Sequence, residues 1–263
     1  MSGEGDRTGE TTFDARRVAD ACERLAVEAS RAKRPDVARI LLRTAAEIDL
    51  TDAKLQQGWG GPLNGQTARQ RLVADIIGAF GPVAIVETGT FRAITTLWFA
   101  ERFKGRIFTC ERSQRLYIQS ATKLKPHAHV SIANADSREF MRTLCAKSLP
   151  GVPVLFYLDA HGSGDLPLAD ELDAILARPG SSLVLIDDFA VPGDAGYGFD
   201  DYGPGKRLDL SYLAPFRARL AAIMFPATPS DEETGAKRGL CVLATDDHAA
   251  QALGMVQGLR AAP

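Results

Sequence analysis

Apolar residues recur along the chain with two different periods. From residue 13 to about residue 57 the spacing is helical, with Val18, Cys22, Leu25 and Val27, then Val37, Ile40, Leu41 and Ala45, and Pro35 between the two sets. This predicts an N-terminal helical hairpin over 13–57. Residues 1–12, rich in Gly, Thr and charge, read as a disordered lead-in. After GWGGPLNGQ (58–66) the pattern predicts a helix over 67–80. Five short apolar runs follow: VAIVET (83–88), RIFTCE (106–111), HVSIAN (129–134), VLFYLD (154–159) and SLVLIDD (182–188), each bounded by Gly, Pro or polar turns. The stretches near 93–103, 113–124, 137–147 and 168–178 are each long enough for one crossover helix, which parallel strands require. AAIMFPA (221–227) and GLCVLAT (239–245), separated by a polar turn, predict an antiparallel hairpin. The fold class is therefore α/β, a Rossmann-like doubly wound sheet occupying 58–263.

Composition narrows the function more than the fold. The chain has 263 residues, 45% hydrophobic and 24% charged, which suits a globular enzyme, and a formal net charge of -2, which argues against a broad nucleic-acid or membrane surface. No apolar run approaches the roughly 20 residues of a membrane span, and the polar N-terminus lacks a signal-peptide pattern. A cytoplasmic location and a small-molecule partner are expected, with a homo-oligomer left open. Cys22, Cys110, Cys145 and Cys241 form no CxxC pair and read as reduced core thiols.

Candidate chemistry collects at the strand ends, where a doubly wound sheet binds its ligands. The first strand closes on Glu87-Thr88-Gly89-Thr90-Phe91. There Gly89 permits a sharp turn and Glu87 can accept bonds from an ammonium group or neighbouring backbone. A full GxGxxG pyrophosphate fingerprint is missing, because Phe91 and Ala93 stand where glycine would. Glu111 ends the second strand, where a carboxylate can take both ribose hydroxyls. Asn134-Ala135-Asp136-Ser137 ends the third, with Asp136 either near a ligand or capping a helix. Asp159 ends the fourth strand, and Asp187 and Asp188 end the fifth. Clustered carboxylates repel unless protons or a hard divalent cation compensate them, which makes Mg²⁺ the leading candidate. His161 is open between a fourth ligand, a general base and a plain loop residue. The loop 193–210, with Tyr197, Phe199 and Tyr202, has the glycines and aromatics of a segment that covers a substrate. On these residues alone an adenosine ligand is indicated, and NAD and S-adenosylmethionine both remain.

The segments PLNGQTARQRLV (62–73), IVETGTF, FTCER, NADS, FYLDAHGSGDLPLADEL (156–172) and VLIDDF (184–189) resemble class I S-adenosylmethionine-dependent methyltransferases, in particular the catechol and macrolide-sugar (macrocin) type O-methyltransferases. The resemblance spans about half of the chain. It implies a seven-stranded sheet whose last strand is antiparallel, with S-adenosylmethionine beside Asn64, Gln66, Glu87, Gly89, Thr90, Phe91, Glu111, Asp136, Ser137 and Asp159. It also implies a divalent metal, Mg²⁺, on Asp159, Asp187 and Asp188. The catechol enzymes carry a lysine base three positions after the first metal Asp, and this chain has Gly162 there. His161 and Asp159 are then the catalytic candidates, with Lys206 a distant second choice of base. The expected activity is methyl transfer to a small-molecule hydroxyl. The alternatives are an NAD-dependent oxidoreductase and a non-catalytic binder of an adenosyl ligand.

Overall fold

The computed structural model describes residues 14–53, 56, 58, 60–149, 151–162 and 164–262; the lead-in expected over 1–12 lies outside them. Packing divides the chain into two compact units, Met1–Gln56 and Gln57–Pro263. The first holds α1 (Ala15–Arg31) and α2 (Pro35–Thr51). Asp14 caps α1 by accepting the Arg17 N–H at 3.0 Å, and Pro35 opens α2 where its missing N–H costs nothing. The seam differs from the sequence pattern. Ala19, Ala26, Ala38, Ala45 and Ala46 are buried, whereas Val18, Leu25, Val27 and Ile40 are exposed. Small side chains let two helices approach closely, and that pushes the larger apolar residues outward.

The second unit begins with a 3₁₀ turn at Pro62–Gly65 and α3 (Thr67–Phe80), then alternates strand and helix. In order these are β1 (Ala84–Thr88), α4 (Ile94–Arg102), β2 (Arg106–Glu111), α5 (Gln114–Leu124), β3 (Val130–Asn134), α6 (Ser137–Lys147), β4 (Val154–Leu158), α7 (Leu168–Leu176) and β5 (Ser182–Asp187). The chain ends with β6 (Ala222–Pro226), β7 (Leu240–Ala244), α8 (Asp247–Gly254) and β8 (Leu259–Ala261). The sheet order is β3-β2-β1-β4-β5-β7-β6-β8. β1 to β5 pair in parallel, and β7 inserts antiparallel between β5 and β6. The sheet has eight strands and not seven, because the three-residue β8 adds to β6 at the edge. It is too short to show a period in the sequence.

Strand alternation sorts the core into two layers. Val86, Phe156, Leu158, Val184 and Ile186 face Met141 and Leu144 of α6 and Leu172 and Ile175 of α7. Ile85, Leu155, Tyr157, Leu183 and Leu185 face Val73, Ile76 and Phe80 of α3, Phe99 of α4 and Leu253 of α8. The chain leaves β1 for β2 and β3, then returns to β4 on the other side of β1, so the switch point is the crevice where β1 and β4 end. Cys110, Cys145 and Cys241 are buried and Cys22 is half-buried, all as free thiols. Among the described residues no helix is long and apolar enough to cross a membrane.

Candidate functional site

At the switch point β1 and β4 are held together past their last paired residues. The Asp159 N–H donates to the Thr88 carbonyl at 3.1 Å, and Gly89, at φ +81°, lies so close to Asp159 that a Cβ there would stand 2.2 Å from its carbonyl oxygen. The glycine is therefore required by the neighbouring loop. The turn is anchored sideways as well, since the N–H groups of Gly89 and Thr90 both donate to the Cys110 carbonyl. Phe91 and Ala93, at the missing glycine positions, adopt φ of +48° and +60°, left-handed geometry in spite of their side chains.

Glu87 lies beneath this turn. Its Oε2 accepts the Thr96 hydroxyl at 2.5 Å and the Thr109 hydroxyl at 2.7 Å, and Thr109 in turn contacts Thr90 Oγ1 at 2.6 Å. Burial pushes the Glu87 carboxyl up to about 7, against these two hydrogen bonds. Glu111 closes the turn from β2: Oε2 accepts the Phe91 N–H at 2.8 Å and Oε1 the Ser113 N–H at 2.7 Å. Burial raises its carboxyl too, opposed by those backbone donors, and each oxygen keeps a lone pair for a further donor. Asp136 caps α6 through the Arg138 N–H at 3.0 Å, and Ser137 is buried in the first turn. Asp165, from the β4–α7 connection, binds Arg138 at 2.6 Å and Arg112 at 2.9 Å, which ties the ends of β2, β3 and β4 together.

The aspartate pair after β5 separates. Alternation puts Asp187 on the same face as Leu183 and Leu185, toward α3, and there it is 2% exposed. It ion-pairs with the buried Arg69, accepts Asn64 Nδ2 at 2.9 Å and the Tyr157 hydroxyl at 2.5 Å, and receives the Asp188 N–H at 2.8 Å. Burial raises its carboxyl, but Arg69 and Tyr157 outweigh this and hold it below the usual range. Asp188, at φ +53°, turns instead toward the mouth of the crevice. Its Oδ1 accepts Arg238 Nε at 2.6 Å, and Arg238 Nη2 binds Asp200.

Asp159, His161 and Asp188 come together into a group able to hold a metal ion, with Asp187 outside it. The His161 side chain is 3% exposed, and its Nε2 has no hydrogen-bond partner among the described residues. Burial disfavours its charged form, yet the carboxylates of Asp188, Asp187 and Asp200 overcome this and raise its pKa. The Asp159 carboxyl is held well above the usual range by desolvation and by the negative charges of Asp187, Asp188 and Glu87.

Other expected contributors take internal roles. Gln66 is buried and accepts the Arg238 N–H at 2.7 Å. Tyr197 is buried with its hydroxyl on the Thr228 carbonyl, Phe199 stacks under Arg207, and Lys206 Nζ donates to the Gly164 carbonyl at 3.0 Å. Tyr202 donates to Asp200. Sequence reasoning missed Arg69, Tyr157, Asp200 and Arg238. Arg69 left a signal, since it shares a helical face with Leu72, Val73, Ile76 and Phe80, all buried, where a lone guanidinium needs a partner.

No family model matches the sequence, and no curated protein matches it. Solved structures do match. The O-methyltransferase from Bacillus cereus in complex with SAH superposes with a TM-score of 0.52 at 12% identity, covering 87% of this chain and 100% of that one. A proposed O-methyltransferase from Klebsiella pneumoniae gives a TM-score of 0.51 at 16% identity, over 68% of this chain and 80% of that one. The chain thus has the Rossmann-like fold of class I methyltransferases.

Proposed function

We propose that the protein transfers a methyl group from S-adenosylmethionine to a hydroxyl of a small molecule, assisted by a divalent cation. One observation carries this reading: the turn suited to the cofactor and the group suited to the cation share the switch-point crevice, joined by the Asp159–Thr88 backbone hydrogen bond.

The residues fit both guests. A sulfonium nucleoside carries no phosphate, and the turn offers acceptors, with Glu111 free to take ribose hydroxyls through its remaining lone pairs. NAD would need an anion cradle, for which the glycine-poor turn is unsuited. The unpartnered Nε2 of His161, faced by carboxylates, fits a cation. Asp159, His161 and Asp188 would hold it, so the catalytic parts expected of His161 and Asp159 become ligand parts. A cation there would lower the pKa of an acceptor hydroxyl and orient it. Transfer is a displacement in which the new O–CH₃ bond forms as the C–S bond breaks, the electron pair leaving with sulfur and the hydroxyl proton passing to solvent. An anionic oxygen and a cationic sulfonium become neutral, so alignment in a site with little water favours the reaction.

Calorimetry and labelled-methyl assays test the reading. S-adenosylhomocysteine should bind, Glu111→Ala should weaken that binding by about tenfold or more, and transfer to a panel of phenols and sugars should fall on chelation. Binding of NADH with none of S-adenosylhomocysteine would overturn it.

A further inference from the structure

The geometry points to a three-ligand centre, Asp159, His161 and Asp188, backed by Asp200 as a positioning residue, whose imidazole selects a transition ion of the Fe²⁺, Co²⁺ and Zn²⁺ group over Mg²⁺. The inference rests on the divalent-cation reading above and deepens it in ligand set and ion class.

Three carboxylate oxygens surround the unpartnered His161 Nε2: Asp188 Oδ2 at 3.7 Å, Asp159 Oδ1 at 3.9 Å and Asp200 Oδ2 at 4.0 Å. These distances are too long for hydrogen bonds. An imidazolium neutralising the carboxylates directly would close to about 2.7–2.9 Å. Two atoms that each lie about 2.1 Å from one ion, in contrast, stand at most about 4.2 Å apart. The Asp188 and Asp159 separations from the imidazole fall within that limit and these three groups also lie near one another, whereas Asp200 stands outside the group and flanks it. The site is also built from outside. Arg238 takes Oδ1 of Asp188 and Oδ1 of Asp200, which leaves Oδ2 of each toward the imidazole, and the Tyr202 hydroxyl fixes Asp200 Oδ2. Such outer hydrogen bonds orient metal ligands.

Charge agrees with geometry. With Asp159 ionised and His161 neutral, the forms a bound cation requires, the carboxylates of Asp159, Asp187, Asp188 and Asp200 against the guanidiniums of Arg69 and Arg238 leave two negative charges, which a divalent ion cancels. Asp187 is closed to an ion because Arg69, Asn64 and Tyr157 already occupy it, as Arg238 and Tyr202 occupy Asp200. Its place is taken by an imidazole. Mg²⁺ favours oxygen donors in a near-ideal octahedron, whereas imidazole suits Fe, Zn and their neighbours, which gives the ion class.

The test uses the full chain, free of any histidine tag, titrated calorimetrically with Co²⁺ and with Mg²⁺ and followed by proton NMR of the Co²⁺-loaded protein. Co²⁺ should bind at least about tenfold more tightly than Mg²⁺, and a hyperfine-shifted, exchangeable imidazole proton should appear. In His161→Asp that resonance should vanish and the preference should shrink to within about threefold. Asp200→Asn should keep the resonance and weaken Co²⁺ by about tenfold, and it decides the matter with the wild-type spectrum should His161→Asp fail to fold. Equal affinities with no shifted imidazole proton overturn the inference and leave an oxygen-only cation site standing. Binding of neither ion overturns the cation reading and this inference together. A Co²⁺-ligated imidazole in a protein whose methyl transfer ignores metal removal supports the ligand set and overturns only the assisting role.

Discussion

Glu87 is a carboxyl kept under the first strand–helix turn at a cost. Its folded-state pKa of about 7 lies above the ordinary 4.5, so the folded chain holds this proton where the unfolded chain has released it. The contribution is complete below pH 4.5 and is lost as the pH rises through 7, by roughly 3 kcal/mol from the size of the shift. Glu87→Gln keeps an acceptor for Thr96 and Thr109 without the charge. In the cofactor-free protein, denaturant unfolding at pH 4 and pH 8 should show the variant gaining roughly 2–3 kcal/mol on the wild type between the two. A difference constant with pH would mean that Glu87 ionises as readily folded as unfolded.

At the scale of elements, α3 depends on a segment far away in sequence. Oε1 and Oε2 of Glu233, in the β6–β7 connection, accept the N–H groups of Ala68 at 3.1 Å and Arg69 at 2.9 Å, and Thr234 Oγ1 accepts that of Thr67 at 2.9 Å. Glu233→Ala leaves two helix-start donors without partners and should cost about 1–2 kcal/mol of stability, with Glu233→Gln recovering part of it in the same melt. Such a cap cannot be read locally, and it marks where legibility ends. The five parallel strands and helices α3 to α7 follow from apolar runs and periods, and their ends fall within a residue or two of the pattern. The hairpin of β6 and β7 was legible for the same reason, while the three-residue β8 was too short to show. In the site, Glu87, Gly89, Glu111 and the aspartates were visible because strand ends concentrate polar residues. The separation of Asp187 from Asp188 followed from alternation, since adjacent strand residues point to opposite faces, and the family pattern obscured it. Asp200 and Arg238 come from irregular segments with no period, and only tertiary structure brings them to His161.

For the whole molecule, both core layers are drawn from residues between Leu63 and Ala262, inside the second unit. A chain comprising Gln57–Pro263 should therefore fold alone, with a cooperative thermal transition and a near-ultraviolet circular dichroism signal from Trp98 and the buried tyrosines. A broad transition without that signal would show that the core needs the helical hairpin. The insertion of β7 between β5 and β6 carries a consequence for biosynthesis. Arg238, two residues before β7, aims Asp188 and Asp200 at His161, so these carboxylates reach their final arrangement only after the polypeptide has been made as far as β7. Until then the edge of β5 is open, and Asp188 and Asp200 lack the guanidinium that orients them.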